Sequence, residues 1–275
     1  MKILLCVAGM PYAEAAVTFG GLVANATRSP VTLMHVTRQD ETQANGDRAL
    51  AAAREMLPGL AVDTRIRQGN PVGMILLQVK KGDYDLVIIG ARQGVKLRQQ
   101  LLGSVAHKVV RRVPTSVLVA RETGPNLARI LICTGGIAVA DPVVETGARI
   151  AGAAKAQATL LHVASPIPSM YTGLDDITET LAELLQTDTP IARHLRHSAE
   201  ILAQHQVTAE LELCRGVAVD EILREAHQGD YDLIVIGASG TAGRLREWLL
   251  GNVTRQIVER APCSVFVVKT EFPDV

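Results

Sequence analysis

Aromatic residues make up only 3% of this chain, so the stacking platforms of a single-strand nucleic-acid binder are missing. An excess of one charge is missing too. Lys and Arg number 28 against 28 Asp and Glu, which leaves no electrostatic footprint for a nucleic acid or an anionic membrane. The four cysteines, Cys6, Cys133, Cys214 and Cys263, stand far apart without a CxxC pair. Neither a zinc ribbon nor a disulfide framework is suggested, and a reducing cytoplasm is the expected home. No apolar run approaches the roughly 20 residues of a membrane span. The opening MKILLCVAGMPYAEAA has the outline of a short signal peptide. The same apolar run recurs internally as RILICTGG from Arg129, so both are read as first strands.

What the chain does have is a duplication. YDLVIIGARQGVKLRQQLLGS, from Tyr84 to Ser104, returns as YDLIVIGASGTAGRLREWLLGN, from Tyr231 to Asn252. Ile3-Leu4-Leu5-Cys6 matches Ile130-Leu131-Ile132-Cys133, and His35 matches His162, at an offset of 127; Gly69 matches Gly216 and Gly90 matches Gly237, at 147. The second copy has therefore gained residues after its second strand, between Ser165 and Pro190. At 275 residues and 48% hydrophobic content, the chain can fill two separate cores. Two copies are too few for a solenoid and read instead as two domains of one fold.

Continuous apolar runs (Ile3 to Val7, Val31 to Val36, Leu86 to Ile89, Ser116 to Val119) predict strands buried on both faces of a parallel sheet. Between them, Val72, Ile75, Leu76 and Val79, and then Val219, Ile222, Leu223 and Ala226, repeat at helical spacing. Gly82 and Gly229 are expected to stop these helices. The last helix of each half is predicted to start at Gly103-Ser104 or Gly251-Asn252, with Ser or Asn as N-cap, and to end before Pro114 or Pro262. The fold class is α/β, two tandem doubly wound open parallel sheets. The polar RETGPNL segment places the boundary near Gly124, giving domains 1–124 and 125–275. Within the insertion, Ile177, Leu181, Leu184 and Leu185 form one apolar face, so an amphipathic helix is expected to pack on its own domain.

A loop that leaves a parallel strand through glycines and enters a helix offers free N–H groups and a positive helix end to an anion. Strand edge, glycine turn and later helix start would form one cradle at the carboxyl ends of the strands. The bland reading of these glycines is tight turns and helix packing. His194 and His197 at i, i+3, with His205 further on, outline a metal site, against which a polar helix face among Arg193, Arg196 and Glu200 accounts for them as well. His35 and His162 read as hydrogen-bonded core histidines.

Taken in order, and twice over, these features resemble the universal stress protein family in its tandem-domain form. The shared features are the strand ending in Gly-x-x-Gly, the later Gly-Ser, the Pro-x-x-Val-x-Val strand and the LLHV-type second strand. The resemblance covers essentially the whole chain. It implies an open five-stranded sheet per domain, related by a pseudo-twofold axis through paired final strands, with a homodimer as a further expectation. It also implies ATP or another adenine nucleotide at the glycine motif. Carried over, the binding candidates are Gly237, Gly240, Gly251 and Asn252 with Thr134 and Val163 in the second half, and Gly90, Gly103 and Ser104 in the first. The sequence departs from the family pattern at five places: Gln93 replaces a motif glycine, ten residues rather than nine separate Gly240 from Gly251, Asn252 stands for the hydroxyl residue, and Ala8 and Gly135 stand where an Asp should end the first strand. Thr134 and Asp141 lie near enough in sequence to substitute. The second cradle, with more glycines retained, is the preferred site.

No GxxxxGK[ST] and no GxSxG occurs, and Arg92, Lys96, Arg98, Arg244 and Arg246 could balance phosphate charge without proton chemistry. The expectation is a nucleotide-binding stress-response module, not an enzyme. A structural interaction protein of the same fold with degenerate cradles is the alternative.

Overall fold

The structure is a computed structural model, and it describes residues 1–38, 41–91, 102–122, 124, 126–135, 140–165, 180–238 and 250–269. The first half runs β1 (Ile3–Val7), α1 (Glu14–Ala26), β2 (Val31–Thr37), α2 (Gln43–Glu55), β3 (Val62–Gln68), α3 (Pro71–Gly82), β4 (Leu86–Gly90), α4 (Ser104–Arg112) and β5 (Ser116–Ala120). The second runs β6 (Arg129–Thr134), α5 (Asp141–Ala154), β7 (Gln157–Ala164), α6 (Leu181–Gln186), α7 (Pro190–Gln204), β8 (Ala209–Arg215), α8 (Ala218–Gln228), β9 (Leu233–Gly237), α9 (Asn252–Arg260) and β10 (Ser264–Val268).

Two five-stranded parallel halves join into one ten-stranded sheet, in the order β3-β2-β1-β4-β5-β10-β9-β6-β7-β8. All neighbouring pairs are parallel except at the junction, where Val265, Phe266 and Val267 lie antiparallel to Val119, Leu118 and Val117. These apolar strands would each have been an unpaired edge; pairing them satisfies their backbone and buries their side chains completely or nearly so. One helical layer (α1, α2, α5, α7) covers one face of the sheet and another (α3, α4, α8, α9) covers the opposite face, which is why the inner strands are apolar on both sides. The outer strands β3 and β8 are half-buried or exposed along their whole length, and their polar residues hide them from a search for continuous apolar runs.

A reciprocal clasp holds the junction. Arg121, just past β5, is buried and donates through Nη2 to the carbonyl of Val258 at 2.6 Å, near the end of α9. Lys269, just past β10, donates through Nζ to the carbonyls of Val110 (2.6 Å) and Val113, at the end of α4. The backbone N–H groups of the same two residues donate to Ser264 Oγ and Ser116 Oγ. Each cation thus meets the negative end of a helix from the other half.

Two local expectations change in detail. Gly82 and Gly229 do stop α3 and α8, but neither adopts a positive φ; Asp83 takes the left-handed position after α3. A Cβ on either glycine would meet the ring of Tyr84 at 2.3 Å or of Tyr231 at 2.1 Å, so glycine is required by a tyrosine lying against the helix end. Within the insertion, α6 opens on a capping box between Thr180 and Glu183, and Leu184 is buried against the core of its own half with Leu181 and Leu185 beside it. Ile177 lies outside the described residues.

Candidate functional site

The carboxyl ends of β1, β2 and β4 surround a cavity of about 380 Å³, within the range of small-ligand sites. Its walls are Cys6, Val7 and Ala8 from β1 and the residue after it, Met34, His35 and Val36 from β2, and Ile89 and Gly90 from β4. Pro71 and Ile75 of α3 add apolar surface, the start of α4 contributes Gly103, Val105 and Ala106, and Tyr12, Arg38, Glu41 and Asn45 complete the lining. The sequence pattern falls short at α4: Gly103 is the N-cap, without a side-chain bond, and Ser104 is already the first helical residue. The first intrahelical bond runs from His107 N to Gly103 O. The N–H groups of Ser104, Val105 and Ala106 consequently have no acceptor within the helix, at the positive end of its dipole. Gly103 N donates to Ala91 O and Ala91 N to Ala120 O, each at 2.8 Å, tying this helix start to the sheet. A Cβ on Gly90 would have ordinary contact with Tyr12 O at 3.5 Å.

The second half repeats the frame with different contents. Gly251 is the uncapped N-cap of α9, Asn252 its first residue, and Gly251 N donates to Ala238 O at 2.8 Å. Where the first half has Ala106, the second has Thr254, buried and donating through its hydroxyl to Gly237 O at 2.7 Å. Gly237 also lies closer to its covering helix, with Val143 Cγ2 at 3.2 Å from an added Cβ.

At the end of β6, Thr134 Oγ1 lies 2.5 Å from His194 Nε2, and Ser198 Oγ lies 3.4 Å from the same nitrogen. His194 Nδ1 faces Asp141 Oδ1 at 3.1 Å, off the line of a hydrogen bond, so that pairing is electrostatic. Burial holds the His194 pKa below the ordinary histidine value, the Asp141 carboxylate opposing. A neutral ring with its proton toward the carboxylate presents Nε2 to accept from the Thr134 hydroxyl. His162 Nδ1 donates to the Thr134 carbonyl at 3.2 Å, and burial lowers its pKa as well.

His194 is thus a buried member of a polar network, not part of a solvated helix face, while His197 is half exposed and 3.9 Å from Asp141. Among the described residues no group of three or more His, Cys, Asp and Glu could hold a metal ion. His35 and His162 are hydrogen-bonded core histidines as expected. Gly90 and Gly103 line the first cavity, whereas Ser104, also expected there, is not part of its wall; in the second half Gly237 ends β9, Thr134 ends β6, Val163 lies near the end of β7, and Gly251 and Asn252 open α9, while Gly240 and Gln93 lie outside the described residues. Val36, the counterpart of Val163, lines the cavity. Glu41, Tyr12 and the Thr134–His194 pair were not singled out from sequence. The last joins residues 60 positions apart, which no local pattern signals.

The model of the universal stress protein family matches residues 1–121 and again residues 126–269. The chain belongs to the universal stress protein family. Universal stress protein Slr1230 of Synechocystis is 24% identical over 223 residues, covering 80% of this chain and 70% of that protein. Universal stress protein MJ0531 of Methanocaldococcus jannaschii is 30% identical over 149 residues, covering 54% and 86%. The crystal structure of a putative universal stress protein from Pseudomonas aeruginosa superposes with a TM-score of 0.72 at 20% identity, covering 97% of this chain and 92% of that one. The tandem arrangement of two universal stress protein domains is therefore shared along the whole fold. Among the described residues no helix is long and apolar enough to cross a membrane.

Proposed function

We propose that this universal stress protein is a cytoplasmic nucleotide-responsive module that holds one adenine nucleotide of the ATP type, in its first half, and acts through partner or dimer contacts without turning the nucleotide over. The observation that carries the reading is the cavity at the ends of β1, β2 and β4, with the start of α4, whose first N–H groups have no acceptor within the helix, beside it. A phosphate chain is matched by a helix N-terminus, and a base by the apolar wall of Met34, Val36 and Ile75. We prefer the first cradle to the second, where Thr254 Oγ1 is bonded to Gly237 O, Thr134 Oγ1 to His194, and Val143 lies close to Gly237.

The alternative, an interaction protein with degenerate cradles, draws on Ala8 and Gly135, which leave the first strand of each half without a carboxylate. Calorimetric titration of the nucleotide-stripped protein with ATP, ADP and AMP separates the two. Saturable binding at one nucleotide per chain supports the proposal; no heat at millimolar nucleotide leaves the interaction protein.

A further inference from the structure

Ala8 deprives the first cavity of the acidic side chain that the end of β1 would supply, yet the cavity is not without one. Glu41, between β2 and α2, is the one carboxylate among the described residues that line it. Its position is fixed through a short relay. His35 Nδ1 donates to the carbonyl of Val7 at 2.8 Å, and His35 Nε2 lies 3.3 Å from Glu41 Oε1. Glu41 is thereby tethered to the strand end immediately before Ala8. The relay needs a thin helix behind it: a Cβ on Gly46 of α2 would lie only 3.1 Å from the His35 ring, 3.2 Å from Ile66 and 3.3 Å from Thr37. The Glu41 side chain remains 29% exposed; with Nδ1–H given to Val7 O, His35 Nε2 donates to Glu41 Oε1 only when the ring carries its second proton, and Oε2, which accepts from Arg38 N at 3.4 Å, keeps a further lone pair. Among the described residues of the second half no carboxylate pairs with the His35 counterpart: His162 Nε2 is buried without a hydrogen-bond partner.

We infer that Glu41 supplies the carboxylate that β1 lacks and accepts hydrogen bonds from the ribose hydroxyls of the bound nucleotide. This rests on the nucleotide reading of the first cavity. A carboxylate repels phosphate, so the phosphates go to the N–H groups of α4 and the uncharged, donor-bearing part of the ligand goes to Glu41. A vicinal diol presents two O–H donors to an acceptor-only group, whereas a deoxyribose leaves part of it unpaired.

The test compares ATP, 2′-deoxy-ATP and inosine triphosphate on the wild-type chain and on Glu41→Met, which keeps the length of the side chain and removes both acceptors. The wild type is expected to prefer ATP over 2′-deoxy-ATP about tenfold, or 1.4 kcal/mol. Glu41→Met loses that preference by weakening ATP, and Ala8→Asp in the Glu41→Met background restores it. Equal wild-type affinity for ATP and 2′-deoxy-ATP overturns the inference without any variant and leaves the nucleotide reading standing. So does a Glu41→Met that loses discrimination between ATP and inosine triphosphate while keeping the ribose preference, because Glu41 would then face the base amine. No binding of any nucleotide by the wild type overturns the nucleotide reading itself and the Glu41 assignment with it.

Discussion

The two halves share one backbone plan and differ in the side chains set around the strand ends. In the first, Val7, Ala106 and Ala16 are small or apolar, and a cavity remains. In the second, Thr134, Thr254 and Val143 stand at the matching positions, and the first two spend their hydroxyls on His194 and on Gly237 O. Duplication preserved the cradle as a shape. Retained glycines mark that shape, while the side chains facing it differ between the halves.

Breaking this comparison most sharply are the two N-cap glycines. Gly103→Asp puts a carboxylate over the free N–H groups of α4, where it caps the helix and excludes phosphate. Nucleotide affinity should fall by about 100-fold or more, with thermal stability unchanged or raised, since Asp is a favoured N-cap. Gly251→Asp should leave affinity unaltered. Titration calorimetry alongside thermal unfolding of both variants measures the contrast, and loss of binding in Gly251→Asp alone would reverse the assignment of halves.

Thr134→Val addresses the second half. It removes the 2.5 Å partner of a buried histidine, and the cost should be about 1–3 kcal/mol in urea unfolding, with nucleotide affinity untouched. A weaker effect is expected from closing the gap at β1. Because Glu41 already provides a carboxylate, Ala8→Asp alone should change affinity by no more than about threefold. Gly135→Asp, whose Cβ would enter open space, should fold normally and create no second site; a stoichiometry of two would contradict this.

Acid sensitivity sharpens the contrast last. Burial lowers the folded pKa of both His162 and His194 from the usual 6.5. The unfolded chain therefore takes up protons first, and the stability these residues contribute is complete above about pH 6.5 and lost as the pH falls below it. Urea midpoints between pH 7.5 and 5 should decline less steeply for His194→Leu than for the wild type. An unchanged slope would separate His194 from the acid response.

The sheet was legible in the sequence to the extent that burial on both faces writes itself as an unbroken apolar run, so β1, β2, β4, β5 and their repeats could be read directly. The outer strands, VDTRIRQ and AELELCR, face water on part of their surface and gave no such run. Helix starts were off by one residue because Ser104 and Asn252 suit an N-cap chemically, while the backbone assigns that place to the preceding glycine. The polarity of α7 misled about His194: one buried histidine among Arg193, Arg196 and His197 looks like a solvated stripe until its partner on β6 is known. The side chains that distinguish the two cradles could not be read from glycine counts, because they come from strands and helices distant in sequence.

The antiparallel junction of β5 with β10 has a consequence for signalling. Strands that run in opposite directions on either side of it carry their carboxyl ends, and so the two cradle mouths, to opposite edges of the sheet. A molecule docked at the first mouth therefore meets none of the second half's corresponding surface there, so the two mouths can change independently of each other.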